Sequence, residues 1–396
     1  GASGGVVSDY SFTPHAGRVK PWCAIAAPEF PYEGSRTLTL PISANEYIGA
    51  MPTTDPALPT IDDVARRAGV STATVSRALN QSDAVRPGLR AKVQAAVAAL
   101  GYVPNAGART MKLRRSGTVG VVVPTIDNAI FASGLQAFQR RMADAGQVVL
   151  LAFSDYDPAQ EVAQVQALLA RGVDALALTG LSQRPDLLAL LAQRGLPWVH
   201  TGAFPAPPGC ACVGFRNREA IVRAVQYLLD LGHRRIGMLA GVTAHNDRAA
   251  ERVAGVQEAL AAAGLRLPPR WLVEAPYTVQ AAREATRRVL QGAAPTALLC
   301  GNDVLAFGAL LECAAAGVDV PRAMSVIGFD DLDMARQWRP ALTTVHVPTE
   351  QMWTLAAEYL LDRLDGSLRE AVQREVEVEL VLRESSAPPL RRGAGR

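Results

Sequence analysis

Short apolar runs rich in β-branched residues alternate with alanine- and leucine-rich amphipathic segments from residue 118 onwards. Continuous apolar strands separated by helices are typical of parallel sheets that helices cover on both faces. The runs are too many for one small sheet, so we expect two α/β subdomains with a ligand cleft where the carboxyl ends of their strands face each other. The runs are 119–123, 147–153, 175–179, 197–201, 235–240, 297–300 and 325–329.

Between residues 60 and 100 the apolar positions follow a helical period and the segments are short. A first helix should begin after Thr60 and end at Gly69, a second should begin after its cap Ser71, and a third should cover about 87–100. The faces that would pack together are Ile61, Val64, Ala65 and Ala68 in the first helix, Val75, Ala78 and Leu79 in the second, and Val93, Val97 and Leu100 in the third.

Two short helices joined by a tight turn with a glycine predict a helix-turn-helix, whose second helix fits the major groove of DNA. The outward positions of that helix are Thr72, Ala73, Ser76 and Arg77. Small helical triplets in alanine-rich proteins are often only scaffold, which is the competing interpretation.

The distribution of charge favours DNA binding over a scaffold. Residues 60–116 contain ten lysines and arginines and three aspartates, a net charge of +7, whereas the whole chain carries only +3 and the remainder therefore sums to −4. A basic charge confined to the segment with helix-turn-helix spacing indicates a surface that binds phosphates.

Two stretches of this segment carry a family resemblance. TIDDVARRAGVSTATVSRALN at 60–80 and GYVPNA at 101–106 closely resemble the headpiece of the lactose/galactose-repressor (LacI-type) transcription regulators. The resemblance continues through GHRRIG at 232–237, DRAAERVAG at 247–255, GNDVLAFG at 301–308, IGFDD at 327–331 and PALTTV at 340–345, which are similar to the periplasmic-binding-protein-like core of the same family.

The resemblance implies an α/β protein with an all-α helix-turn-helix headpiece at 60–104, a hinge helix or linker at 105–116, and a two-lobed core of parallel sheets at 117–384. The chain would cross between the lobes near 213–217, near 345–348 and between 366 and 376. The implied function is that of a regulator, most simply a repressor, which binds double-stranded operator DNA as a homodimer and responds to a small-molecule effector. A solute-binding protein without a DNA role is the alternative, and the basic headpiece argues against it.

The position of each headpiece residue implies its role on DNA. Thr72, Ala73 and Arg77 would read bases, since arginine can contact guanine through two hydrogen bonds, and Met111 would take the place of the family's minor-groove leucine wedge. Ser71, Thr74 and Asn80 would mostly hold phosphates. The full set expected to contact DNA is Thr60, Ser71, Thr72, Ala73, Thr74, Ser76, Arg77, Asn80, Arg86, Asn105, Arg109, Met111 and Lys112.

Matching positions in the core imply an effector pocket. Arg252 would bind hydroxyls or a carboxylate with its planar fork of donors. Asn302 and Asp330 would share the donors and acceptors of a polyol at two strand ends, and the alternative is that they only cap helices. Tyr277 would stack on the ligand or be structural. The expected pocket is Asn128, Phe131, His200, Arg252, Tyr277, Asn302 and Asp330.

One departure from the family pattern bears on the effector. Where many members have an aspartate after Pro197, this chain reads Trp-Val-His200-Thr. Loss of an acid while Arg252 stays favours an anionic ligand such as a sugar acid, and His200 is either a ligand contact or a structural histidine. The stretches Tyr156-Asp-Pro, Leu178-Thr-Gly, Gly214-Phe-Arg-Asn and Asp247-Arg-Ala also look like gluconate-responsive members.

The ends of the chain and its composition complete the prediction. Residues 1–59, rich in Gly, Pro and Ser, and 385–396 lack apolar periodicity and should be disordered. Met51 is either the physiological start or part of a functional extension. With no secretory signal, no apolar run of about 18 residues and five cysteines without metal spacing, we expect a cytoplasmic protein without a metal or cofactor. The scattered histidines and the absence of catalytic motifs argue against an enzyme.

Overall fold

The computed structural model describes residues 58–80, 85–103, 115–127 and 129–390. The chain divides into two compact units, residues 1–103 and 104–396. The segments 1–57 and 104–114, which include most of the predicted disordered extension (1–59) and most of the predicted hinge (105–116), lie outside the described residues. Within the described residues no helix is long and apolar enough to cross a membrane.

The first unit contains the three predicted helices: α1 (Ile61–Ala68), α2 (Thr72–Asn80) and α3 (Pro87–Leu100). Thr60 caps α1 in a reciprocal capping box with Asp63, and Gly69 ends it in the left-handed conformation. The backbone N–H of Thr74 donates to the Ser71 hydroxyl at 3.3 Å, as expected of a cap on α2.

The predicted apolar faces of the headpiece pack together. Val64, Val75 and Val93 are fully buried, one from each helix, and Leu79, Val97 and Leu100 pack around them. Three short helices therefore close one small core, and the polar front of α2 is left outside it.

The second unit contains two lobes, each built on a six-stranded sheet. The sheet of the first lobe has the order β11-β5-β4-β3-β1-β2 and all its described pairings are parallel. Its central strands are buried at almost every position, as the continuous apolar runs predicted. The elements are β1 (Thr118–Val123), α4 (Ala129–Asp144), β2 (Val148–Phe153), α5 (Pro158–Ala170), β3 (Ala175–Thr179), α6 (Pro185–Arg194), β4 (Trp198–Thr201), β5 (Cys212–Gly214), α12 (Thr349–Asp365) and β11 (Gln373–Glu375).

The sheet of the second lobe has the order β12-β10-β9-β8-β6-β7, and only β12 runs antiparallel to its neighbour. The strands β5, β7, β10, β11 and β12, each three or four residues long, were not among the predicted runs. The elements are α7 (Asn217–Asp230), β6 (Ile236–Gly241), α8 (Asp247–Ala262), β7 (Leu272–Ala275), α9 (Val279–Leu290), β8 (Ala297–Cys300), α10 (Asp303–Ala315), β9 (Ser325–Asp330), α11 (Asp333–Gln337), β10 (Thr343–His346) and β12 (Glu379–Val381).

Three chain segments join the lobes. Two of them, between β5 and α7 and between β10 and α12, lie where the sequence predicted them. The third crossing was predicted between residues 366 and 376, which is too early in the sequence. The chain stays with the first lobe through β11 and crosses between Glu375 and Glu379. Because β5 and β11 are neighbours in one sheet and β10 and β12 are neighbours in the other, all three crossings lie at the same edge of the two sheets.

The prediction of a disordered tail from 385 was wrong for its first part. Ser385 is fully buried, and its hydroxyl donates to the Val326 carbonyl at 2.6 Å while it accepts from the Thr343 N–H at 2.8 Å. The Ala387 carbonyl lies 2.9 Å from His233 Nε2. These contacts are polar, so apolar periodicity could not reveal them. Residues 391–396 lie outside the described residues.

Candidate functional site

A cavity with about 570 Å³ of empty space lies between the two lobes, at the carboxyl ends of their strands. This is the position that the topology of facing parallel sheets predicts. From the second lobe it is lined by Asn246, Arg248, Arg252, Tyr277, Asn302 and Asp330, and from the first lobe and the crossings by Ile130, Phe131, Tyr156, Thr179, Thr201, Gly202, Phe215, Val347, Thr349, Met352 and Trp353.

Arg252 lies on α8 and is 7% exposed. Its Nη1 donates to Asn217 Oδ1 at 2.6 Å, its Nη2 donates to the Tyr277 hydroxyl at 3.4 Å, and its guanidinium lies 4.7 Å from the centre of the Phe329 ring. Its Nε is buried and has no hydrogen-bond acceptor among the described residues. Two of its three nitrogens are therefore engaged by neighbouring side chains, while Nε has no partner among the described residues.

Asn302 has both of the roles considered from the sequence. Its Oδ1 accepts the Leu305 N–H at 2.9 Å and so caps α10. Its Nδ2 is buried and finds no acceptor among the described residues, although the residue lines the cavity. A buried donor without a partner costs about 1–3 kcal/mol, so this amide is suited to a ligand oxygen.

Asp330 lies at the end of β9, and burial raises the pKa of its carboxyl well above the usual range. The nearby Asp303 adds to that rise, whereas the positive charge of Arg252 opposes it. The backbone at Asp330 has φ of 110°, which is unfavourable for a residue with a side chain. Such strain concentrates at functional sites.

Aromatic rings form much of the remaining wall. Tyr156 of the first lobe and Tyr277 of the second lie with ring centres 6.3 Å apart across the cleft. Trp353 on α12 packs edge-on against Phe138 at 5.7 Å, and a Cβ at Gly134 would overlap its ring. The aromatic wall therefore has two parts. Trp353 is packed tightly within the first lobe, whereas the contact between Tyr156 and Tyr277 depends on how closely the two lobes approach each other.

Arg248 connects the two lobes. It lies one helical turn before Arg252 on α8, its Nη1 donates to Asp247 Oδ1 at 3.0 Å, and a Cβ at Gly180 of the first lobe would overlap its guanidinium. Asp247 Oδ2 also accepts the Leu181 N–H across the cleft at 2.9 Å. An anion between the lobes would therefore meet two arginines, of which Arg248 is already paired.

The prediction that His200 contacts the effector was wrong. His200 is 1% exposed, its Nδ1 lies 3.0 Å from the Gly180 carbonyl, and its Nε2 accepts the Trp198 indole N–H at 3.2 Å. Residues 198 and 200 share one face of β4 because side chains alternate along a strand, and Thr201 reaches the cavity instead. Burial lowers the pKa of His200, as suits a neutral structural ring.

Of the other expected pocket residues, the structure brings five together around this cavity: Phe131, Arg252, Tyr277, Asn302 and Asp330. Asn128 lies outside the described residues. Sequence reasoning missed Tyr156, Arg248 and the α12 residues Met352 and Trp353. The spacing of Arg248 four residues before Arg252 was a usable signal, whereas nothing local marks the α12 residues as part of the wall.

The headpiece presents the predicted front of α2. Ala73 and Arg77 are exposed, Thr72, Thr74 and Ser76 are half-buried, and Ser71 and Arg86 are exposed beside the helices. Thr60 is exposed, but its hydroxyl is used in the capping box. The remaining predicted DNA contacts Asn105, Arg109, Met111 and Lys112, and the side chain of Asn80, lie outside the described residues.

Comparison with known proteins places these features in context. A family model described as bacterial regulatory proteins, lacI family, matches residues 60–105, and a periplasmic binding protein-like domain matches residues 225–386. The HTH-type transcriptional repressor PurR of Photobacterium profundum is 33% identical over 330 residues, which are 82% of this chain and 98% of that protein.

Solved structures agree. The lac repressor dimer bound to operator and the anti-inducer ONPF is 27% identical with a TM-score of 0.74, covering 83% of this chain and 99% of that one. The transcription regulator GntR from Chromobacterium violaceum is 33% identical with a TM-score of 0.63, covering 68% and 99%. A helix-turn-helix unit joined in one chain to a two-lobed ligand-binding core, with a relative matched over nearly its whole length, shows that this protein belongs to the LacI family of bacterial regulatory proteins and is a DNA-binding transcription regulator controlled by a small molecule.

Proposed function

We propose that the effector is a sugar acid, bound with its carboxylate beside Arg252 and Asn302. The observation that carries this proposal is that Arg252 Nε and Asn302 Nδ2 are both buried, both lack acceptors among the described residues, and belong to residues that line one cavity. A carboxylate oxygen satisfies such donors with charge-assisted hydrogen bonds, which are stronger than neutral ones.

The charges around the cavity support an anion over a neutral sugar. No carboxylate of the described residues lies within ion-pair distance of Arg252. Because burial raises the pKa of Asp330, that carboxyl does not fully offset the guanidinium charge. A ligand anion supplies the missing countercharge, and the hydroxyls of Thr179 and Thr201 on the opposite wall can bind the ligand's own hydroxyls.

Thermal denaturation of the full chain tests the effector class. Sugar acids such as gluconate and their neutral counterparts such as glucose are added at matched concentrations. A ligand at 100 times its Kd raises the free energy of unfolding by about 2.7 kcal/mol, so we expect the acids to raise the melting temperature. Stabilisation by the neutral sugars alone would contradict the anionic proposal.

On DNA, we propose that the chain acts as a homodimeric repressor in the cytoplasm and has no enzymatic activity. The operator-bound dimer of the similar lac repressor supports this assembly. Ala73 and Arg77 on the exposed front of α2, with Thr72, would read bases, while Ser71, Thr74 and Asn80 would hold phosphates. Further contacts would come from Thr60, Ser76 and Arg86, and from a hinge at 105–116 that includes Asn105, Arg109, Met111 and Lys112.

Replacement of Arg77 by alanine tests direct reading of bases. A bidentate contact with guanine discriminates by about 1–3 kcal/mol, so Arg77→Ala should relax the preference at one base pair in each half-site. The measurement is binding to a library of operators with single substitutions. Arg67→Ala, which removes an exposed charge of α1, is the matched control and should leave the base preference unchanged. Equal weakening on all sequences by Arg77→Ala would contradict base reading.

A further inference from the structure

A second, smaller chamber with about 300 Å³ of empty space adjoins the effector cavity. Tyr156, Thr179 and Arg248 line both spaces, so the two form neighbouring parts of one cleft.

The chamber offers acceptors where the main cavity offers donors. Glu161, which is 9% exposed, lines the chamber, and its Oε1 accepts from Gln183 Nε2 at 3.1 Å. The neighbouring Ser154 hydroxyl is also buried. Groups that donate hydrogen bonds therefore fit this end of the cleft, opposite in character to the end at Arg252.

The choice between an ammonium and a hydroxyl donor follows from Arg248. Arg248 lines the chamber. Burial raises the pKa of the Glu161 carboxyl, and the hydrogen bond from Gln183 and the positive charge of Arg248 oppose that rise, so Arg248 acts electrostatically on this carboxyl. An ammonium beside Glu161 would lie close to this like charge, which is unfavourable in a poorly hydrated site. Hydroxyls avoid the repulsion, and they can both donate to Glu161 and accept from Ser154.

Both lobes build the chamber. The Ser182 hydroxyl of the first lobe donates to the His245 carbonyl of the second at 3.1 Å, and both residues line the chamber. The Leu181 N–H makes the adjacent contact with Asp247. A ligand end that occupies this space contacts both lobes at once and therefore favours their approach.

We propose that this chamber is a binding subsite for the hydroxylated end of the effector, which makes the effector an elongated polyhydroxy acid that spans from Arg252 to Glu161. The inference rests on the proposed function, because it takes the acid end beside Arg252 as given. It adds the length of the ligand, the orientation of the ligand and the residues that select its far end.

Calorimetric titration of the full chain with two linear sugar acids tests the subsite. Threonate has four carbons and gluconate has six, so gluconate extends two carbons further towards Glu161 when its acid end is held at Arg252. The parent protein should bind gluconate at least about tenfold more tightly. Glu161→Gln keeps the side-chain volume but replaces the carboxylate, and it should weaken gluconate binding about tenfold while changing threonate binding less than twofold.

Controls separate the possible failures. Glu370→Gln, at an exposed glutamate, should leave both affinities unchanged, and the melting temperature of each variant without ligand reports whether it folds. Equal affinity of the parent for both acids, or a length preference that survives in Glu161→Gln, would overturn the subsite and leave the proposed function intact. If neither acid binds the parent protein, the proposed function itself falls and the subsite with it.

Discussion

The two walls of the cleft differ in chemistry and in how they arise from the sequence. The second lobe supplies the charged and amide groups Arg248, Arg252, Asn302 and Asp330, which lie at helix starts and strand ends. The first lobe and α12 supply mainly apolar and aromatic surface. We call the second-lobe side, with Arg248, Arg252, Asn302 and Asp330, the recognising wall, because its charged and amide groups fit the proposed acid end of the ligand. The side formed by the first lobe and α12 is the shaping wall, because it is mainly apolar apart from the proposed hydroxyl contacts at Thr179, Thr201 and Glu161.

The largest expected effect comes from the shaping wall. Trp353→Ala removes a side chain that is 2% exposed and packs on Phe138 and Gly134. Loss of such a ring costs about 3–5 kcal/mol of stability, which lowers the melting temperature by roughly 10 °C for a unit of this size. Differential scanning calorimetry measures it. A fall in melting temperature of less than two degrees would show that the packing of Trp353 in the shaping wall does not contribute to stability as proposed.

The free energy of unfolding is expected to depend on pH because of Asp303, a buried carboxyl next to Asn302 of the recognising wall. Burial raises the pKa of Asp303 to about 7, against hydrogen bonds from Thr344 at 2.5 Å and from the Leu332 N–H at 2.7 Å. The folded state then binds a proton that the unfolded state releases near pH 4, so stability should fall as the pH rises from about 4 to about 7.

For this one group the fall between pH 5 and pH 7 is at most about 3 kcal/mol. Urea unfolding at several pH values measures it, and Asp303→Asn, which has no carboxyl to ionise, should show a shallower fall. Identical slopes in the parent and the variant would mean that Asp303 is already ionised at pH 5.

Removal of the main recognition group should weaken the effector's control of DNA binding while leaving the DNA affinity itself unchanged. Arg252→Ala loses charge-assisted contacts worth about 1.5–3 kcal/mol, so the effector concentration for half-maximal response should rise ten- to hundredfold. Operator binding across an effector titration measures it. Arg266→Ala, at an exposed loop arginine, serves as the control. An unchanged response of Arg252→Ala would place the ligand elsewhere.

The smallest effect should come from the aromatic contact across the cleft. Tyr156→Leu keeps an apolar wall but removes the ring pair with Tyr277, which is worth about 0.5–1.5 kcal/mol. Effector affinity should fall about two- to tenfold, with the melting temperature of the ligand-free protein nearly unchanged. A loss as large as that of Arg252→Ala would mean that the shaping wall contributes as much binding free energy as the recognising wall.

The sequence predicted the recognising wall well because its chemistry is local. Arg252 belongs to a helix that starts just after a strand, and Asn302 and Asp330 directly follow or end strands, so each position marks a strand end without knowledge of the fold. The headpiece was predictable for the same reason, since its three apolar faces repeat within forty residues.

The shaping wall was not predictable in the same way. Trp353 reaches the cavity only because the chain returns to the first lobe after β10, and no local pattern records that return. The prediction for His200 was wrong for a related reason. The alternation of side chains along β4 allows the ring to lie on either face of the sheet, and the contacts with Trp198 and the Gly180 carbonyl decide which face it takes. Ser385 is held by polar contacts with strands about 40 and 60 residues earlier.

The three lobe crossings at one edge of both sheets determine how the protein can move. Connections placed side by side define a single axis, so the lobes can rotate towards or away from each other more easily than they can twist or slide. Ligand binding then acts on one angular coordinate. Two orientations of the lobes are then enough to give two states of the regulator. Distance probes placed on the two lobes, on opposite sides of the cleft, would measure the change in their separation between these states.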